Sequence, residues 1–375
     1  MNYILGLFYC LAFFSAVASA NPVVTTAAKK DTLVLLHVLF RHGNRAPDLA
    51  SMFPSDPHAN NTYHPHGFSQ LTLKGKETEY KIGKYIREKY GKLIPEQYTP
   101  GVVYAISTNM KRTKMSLQLV LASLFPPLES DVFEEGLNWQ PIPYNVEPGQ
   151  GLIGVPMAYC PAYIIQYYKY VMSEEGQAII AEYQNFYDEL SKYTGSRIIT
   201  PKDAANIYFT LKSEEDYDLK LPEWSAGIYP EVLEEAASVD YEFSTATSGL
   251  KKYSAGFLLK KILDDSKLKA DGELPEERKI FLYSAHEFNV GAMLRTLNVF
   301  YRHVPPFGAT IYFEIHYMKA KYGLKLYYQD YTEEAPRLLT IPGCAAFCPL
   351  NKVYELLGDS LPDDNDACST EDEIM

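Results

Sequence analysis

The run Thr32-Leu33-Val34-Leu35-Leu36-His37-Val38-Leu39-Phe40, followed at once by Arg41-His42-Gly43-Asn44-Arg45-Ala46-Pro47, decides how the chain reads. Nine nearly unbroken apolar residues suit a strand covered on both faces, and the switch to charged residues marks where it leaves the sheet. Two later runs repeat the form. Val102 to Ile106 (VVYAI) leads into Ser107, Thr108, Lys111 and Arg112, and Ile280 to Ser284 (IFLYS) leads into Ala285, His286 and Glu287. Between the first two runs, Ile82, Ile86, Tyr90 and Leu93 recur at helix spacing within residues 72–93. A second helix is expected from Lys111, carrying Met115, Leu119 and Ala122 and ending before Pro126-Pro127. Strands alternating with helices predict an α/β fold with a mainly parallel sheet. Ligands of such sheets lie beyond the carboxyl ends of the strands, so the three polar clusters are expected to share one crevice.

The middle of the chain differs. Residues 161–249 are rich in Tyr and Glu and show helical patterns, such as 173–193, without a convincing strand. They read as a helical cap inserted between core segments at about 28–160 and 250–375, all within one domain.

Residues 3–17 are apolar and uncharged, and Ala18-Ser19-Ala20 has the small-residue form of a cleavage site. A signal peptide over residues 1–20, cut after Ala20, implies export; no later stretch is long enough to span a membrane, so no anchor is expected. Cys10 leaves with that segment, and Cys160, Cys344, Cys348 and Cys368 remain, which allows three disulfide connectivities. The close pair Cys344 and Cys348 can close a small loop, leaving Cys160 with Cys368. A zinc site is the alternative, but no histidine stands near these cysteines at finger-like spacing. Asn60-Asn61-Thr62 is a glycosylation sequon in a polar loop. The net charge of −12 argues against nucleic acid or an anionic membrane as partner. An anionic substrate would then need cations gathered at one place.

They are so gathered. Arg41, Arg45 and Arg112 bring three guanidiniums, and His42 and His286 two imidazoles, to the three strand ends. Arg forks pair with phosphate oxygens and keep their charge, and phosphoryl transfer needs such donors around an in-line nucleophile. A neutral imidazole offers a lone pair in mildly acid water, and neighbouring Arg charges extend that range downward. His42 is expected as nucleophile, Arg41, Arg45, Arg112 and His286 as phosphate ligands, and Glu287 as proton donor to the leaving group. No metal or organic cofactor is required. Each element alone has a blander explanation: surface ion pairs for the arginines, a core histidine such as His37, a helix cap for Glu287. Their coincidence at three strand ends favours chemistry. The histidines at 58, 64 and 66 read as a solvated loop, and His303 and His316 as structural residues without partners.

The heptapeptide Arg41 to Pro47 resembles the RHGxRxP signature of the histidine acid phosphatases. The likeness continues through Gly67 to Thr72, Ser107 to Arg112, Leu124 to Pro127, Trp139 to Pro143, Tyr283 to His286 and Pro342 to Pro349. It is greatest to the animal prostatic and lysosomal group and to secreted insect forms, including those of venom. The resemblance implies a histidine phosphatase (phosphoglycerate mutase-like) fold with a helical cap. It implies hydrolysis of small phosphate monoesters at acid pH through a phosphohistidine on His42, and the disulfides Cys160–Cys368 and Cys344–Cys348. It also implies a secreted glycoprotein, with the lysosomal lumen as the other destination, and a homodimer as the candidate assembly. Many members carry Asp where this chain has Glu287, and an acidic residue where it has Asn44. Rival readings are a phytase-like or lysophospholipid phosphatase, a mutase-like transferase, and a secreted pseudoenzyme that only binds anions.

Overall fold

The computed structural model describes residues 32–147, 151–363 and 368. The signal segment and the end of the acidic tail lie outside the described residues. In chain order the strands are β1 (Leu33–Arg41), β2 (Val103–Ser107), β3 (Asn145–Val146), β4 (Ile280–Ala285), β5 (Thr310–Met318), β6 (Lys321–Gln329), β7 (Arg337–Leu339) and β8 (Cys348–Pro349). The helices are α1 (Leu73–Tyr90), α2 (Lys111–Leu124), α3 (Pro161–Val171), α4 (Glu174–Thr194), α5 (Pro201–Glu215), α6 (Glu231–Phe243), α7 (Ser248–Lys251), α8 (Phe257–Asp271), α9 (Glu287–Thr296) and α10 (Leu350–Leu357).

The strands form one mixed sheet in the spatial order β3-β2-β4-β1-β5-β6-β7, with β8 also against β6. β3, β2, β4 and β1 run parallel, whereas β5, β6 and β7 continue the sheet antiparallel. The parallel half contains all three strands expected from sequence. The antiparallel half, a hairpin of two nine-residue strands and its neighbours, was not anticipated. Register explains the crevice: Arg41 pairs with Ala285 and Ser107 with Ser284, so the three strands end level with one another.

Side chains alternate across β1. Leu36, Val38 and Phe40 pack with Ile82, Ile86, Leu117 and Val120 of α1 and α2. Leu35 and Leu39 face the other layer, which includes α8, α9 and residues from every helix of α3 to α7. His37 lies in that second layer, stacked 4.5 Å from Phe281, with Nδ1 3.2 Å from Tyr283 Oη.

The helical stretch begins at Pro161 and continues past residue 249, where the sequence suggests an end, to Asp271. Its apolar residues join one cluster with the sheet face, so the cap has no separate core. Local signals fix its helices: Ser173 Oγ accepts from Gly176 N at the start of α4, and Thr200 and Asp203 form a capping box at the start of α5. Cys160 pairs with Cys368 and Cys344 with Cys348.

Candidate active site

Level strand ends deliver His42, Thr108 and His286 to one edge of the sheet. Backbone bonds hold them: His42 N donates to Ala285 O at 3.1 Å, and Thr108 N to Ser284 O at 3.2 Å. Gly43 has a packing role. A Cβ there would lie 2.3 Å from Gly75 O, and one on Gly75 would lie 2.0 Å from Asn44 O, so the loop can reach the start of α1 only through two glycines.

His42 is fully buried, and its Nδ1 lies 2.9 Å from Gly43 O. A carbonyl only accepts, so Nδ1 carries the proton and Nε2 keeps its lone pair. That assignment suits the second contact, in which Arg112 Nε donates to His42 Nε2 at 3.1 Å. Burial first, then the charges of Arg112 and Arg41, hold the imidazole well below its usual range. The ring is therefore neutral in acid, with the lone pair of Nε2 directed at Arg112.

The guanidiniums surround that atom. Arg41 is almost wholly buried, stacks 3.9 Å from the Phe307 ring and donates Nη1 to Pro305 O at 2.5 Å. Arg45 Nη1 donates to Ala46 O at 2.9 Å, and its Nη2 meets Asp48 Oδ2 at 2.8 Å. Among the described residues, Arg41 Nε and Nη2, Arg45 Nε and Arg112 Nη1 are buried donors without a hydrogen-bond partner. Buried donors are seldom left so, and several on one crevice call for an anion.

His286 caps α9, its N–H donating to Asn289 Oδ1 at 3.1 Å and its Nε2 lying 3.0 Å from Thr108 Oγ1. Its ring stands edge-on to His42, centroids 5.5 Å apart. Burial, then Arg112, bring its pKa down to about 3. Glu287 opens α9, where the helix dipole favours a negative charge, and Oε2 lies 3.7 Å from Arg41 Nε. Burial raises its pKa, but Arg41, His286 and Lys202 overcome this and bring it down to about 2. The free site thus holds Glu287 as a carboxylate. His42, His286 and Glu287 offer ligand atoms within 4.8 Å of one another, but three guanidiniums around them oppose a cation.

All six expected residues meet here, together with others that went unnoticed. Asp48 follows the heptapeptide directly and meets the charges of Arg45 within it and of Arg112 on α2. Thr108 belongs to the polar cluster expected after the second strand but was given no role, while Phe307 and Ser213, whose Oγ lies 3.4 Å from Arg45 Nη1, gave no sequence signal. His303 and His316 stay outside the site, but the expectation that they lack partners is corrected. His303 Nε2 lies 2.7 Å from Tyr328 Oη, and His316 Nε2 lies 2.8 Å from Glu314. His58 Nε2 reaches Lys220 O at 2.9 Å, while His64 and His66 are exposed. Asn60 is exposed in a turn.

Comparison with known proteins follows this geometry. The family model described as the histidine phosphatase superfamily (branch 2) matches residues 32–329. The venom acid phosphatase Acph-1 of Apis mellifera is 36% identical over 352 residues, covering 93% of this chain and 89% of that protein. The prostatic acid phosphatase of Homo sapiens is 32% identical over 341 residues, covering 88% and 86%. The lysosomal acid phosphatase of Rattus norvegicus is 30% identical over 340 residues, covering 89% and 79%. Among solved structures, the apo form of Hafnia alvei phytase superposes with a TM-score of 0.65 at 17% identity, over 90% of this chain and 98% of that one, a likeness of fold.

Proposed function

The chain belongs to branch 2 of the histidine phosphatase superfamily, and from that membership we propose that it is an exported acid phosphatase that hydrolyses phosphate monoesters through a phosphohistidine on His42. One observation carries the reading: a neutral, buried imidazole whose unprotonated Nε2 accepts from Arg112, among buried guanidinium donors without hydrogen-bond partners. In the proposed first step Nε2 attacks phosphorus, the N–P bond forms and the P–O bond to the alcohol breaks. Arg41, Arg45, Arg112 and His286 hold the phosphoryl oxygens as their charge is redistributed.

The leaving oxygen needs a proton, and Glu287 is the proposed donor. In the free site it is ionised. A phosphate monoester near pH 5 carries one proton of its own, its second pKa being about 6. That proton passes to Glu287, whose affinity for it rises beside the bound phosphoryl charge, and then to the alkoxide. Water next attacks the phosphohistidine, giving its proton to Glu287, and phosphate departs. No step calls on a metal.

Export is supported by the likeness to venom and lysosomal enzymes and by the disulfides. Among the described residues no helix is long and apolar enough to cross a membrane.

The test is hydrolysis of phenyl phosphate from acid to neutral pH in excess chelator, with His42→Ala alongside. Turnover in acid that survives chelation and disappears in the variant supports the reading. A wild-type protein that binds phosphate without turnover would make it an anion-binding pseudoenzyme.

A further inference from the structure

Asp48 stands inside the cup of guanidiniums. Its Oδ2 is 2.8 Å from Arg45 Nη2, its Oδ1 is 3.7 Å from Arg112 Nη1, and Ser69 Oγ donates to that same Oδ1. Its side chain is 28% exposed, so solvent and a ligand can reach it. Arg112 Nη1 is one of the partnerless donors. A phosphoryl oxygen that occupies this donor comes to rest beside an Asp48 oxygen. Two such acceptors in contact repel unless the ester binds with its proton between them, the same proton that Glu287 takes up as the reaction begins.

The charges of the whole site agree. Arg41, Arg45 and Arg112 face the carboxylates of Asp48 and Glu287, which leaves one positive charge for the ligand. Among the described residues, the other titratable groups that act on these charges add none. His42 and His286 are held neutral, and Glu79 of α1, fully buried near Arg41, is pushed by burial well above the ordinary carboxylate range. Lys202 of α5 is matched by Asp240 of α6 at 3.6 Å. Arg45, Arg112 and Glu287 are the charged groups acting on Asp48, and the two arginines hold it ionised against the effect of burial.

We propose that Asp48 determines specificity for the substrate's protonation state, so that the site accepts phosphate monoesters as monoanions and rejects the dianion. This rests on the phosphatase reading and extends it. The acid range of the enzyme is then set partly by a side chain that excludes the substrate's neutral-pH form, apart from any titration of the nucleophile. Its charge also divides the two arginines, which would otherwise repel each other across the phosphate site.

The experiment is the profile of kcat/KM for phenyl phosphate between about pH 4.5 and about pH 8 in wild type, Asp48→Asn and Asp48→Glu. The wild-type profile should fall above about pH 6, where the ester loses its second proton. In Asp48→Asn the falling limb should move up by about one unit, so the ratio of kcat/KM at about pH 7.5 to that at about pH 5 rises about tenfold. Asp48→Glu should restore the wild-type shape. A profile of unchanged shape in Asp48→Asn, at whatever height, overturns the inference, because loss of a merely structural contact lowers all points alike. If the wild type has no turnover at any pH, the phosphatase reading fails, and calorimetry with inorganic phosphate decides the role of Asp48. Asp48→Asn should then bind it about tenfold more tightly than wild type at about pH 7.5, and equal affinities would overturn the inference.

Discussion

Glu287 and Arg41 show how a carboxyl group can be both buried and ionised. Burial alone would leave Glu287 protonated, but Arg41 at 3.7 Å, with His286 and Lys202, lowers its pKa to about 2. The acid role proposed for it therefore depends on a proton that arrives with the substrate. For Glu287→Gln this predicts a loss of about 10²- to 10⁴-fold in kcat on an alkyl phosphate. The loss on an aryl phosphate should be much smaller, since phenolate leaves without help. Equal losses on the two esters, measured side by side, would remove Glu287 from that role. Its place as the first residue of α9 beside Arg41 is compatible with this.

At the scale of elements, the end of α5 is the cap's grip on the phosphate loop. Ser213 contacts Arg45, Asp216 accepts from Asn44 Nδ2 at 2.5 Å, and Glu214 lies against Asp56. Asn44, in place of an acidic residue, is thus a donor to the cap. Asp56 and Glu214 are both buried carboxyls, with Tyr63 beside them. Burial and the adjacent Asp56 push the Glu214 pKa up. The sign follows from proton counting. The unfolded chain ionises Glu214 in acid, while the folded one keeps the proton longer, so stability falls as pH rises from acid through neutral. Glu214→Gln should flatten that slope and raise Tm at neutral pH relative to wild type. Parallel Tm curves across pH for the two proteins would contradict it. The placing of the loop of residues 41–47 at a strand end was legible in the sequence because its residues are contiguous and follow an apolar strand. The α5 contacts were not, since Ser213 and Asp216 lie more than 160 residues from their partners on an ordinary polar helix end. The antiparallel hairpin was missed for a related reason. Residues such as His316 and Tyr328 interrupt the apolar pattern, yet His316 is partnered by Glu314 on the same strand and Tyr328 by His303.

At the scale of the molecule, a protein of net charge −12 gathers positive charge at one sheet edge and draws the cap over it. The bond between Cys160, just before α3, and Cys368 closes a span of 208 residues and ties Cys368 to the start of α3. Loop entropy for so long a span is worth up to about 5 kcal/mol. Cys160→Ala combined with Cys368→Ala should lower Tm by on the order of 10 °C while leaving the three strand ends in register. An unchanged Tm would mean the tail contributes no constraint. All these effects converge on one atom, His42 Nε2. The most direct test of the account is to mix the protein with an aryl phosphate, quench at alkaline pH, digest, and weigh the peptide containing His42. The account predicts a transient adduct of one phosphoryl group on His42, absent from His42→Ala. Steady turnover with no adduct at His42, or an adduct on His286 instead, would contradict it.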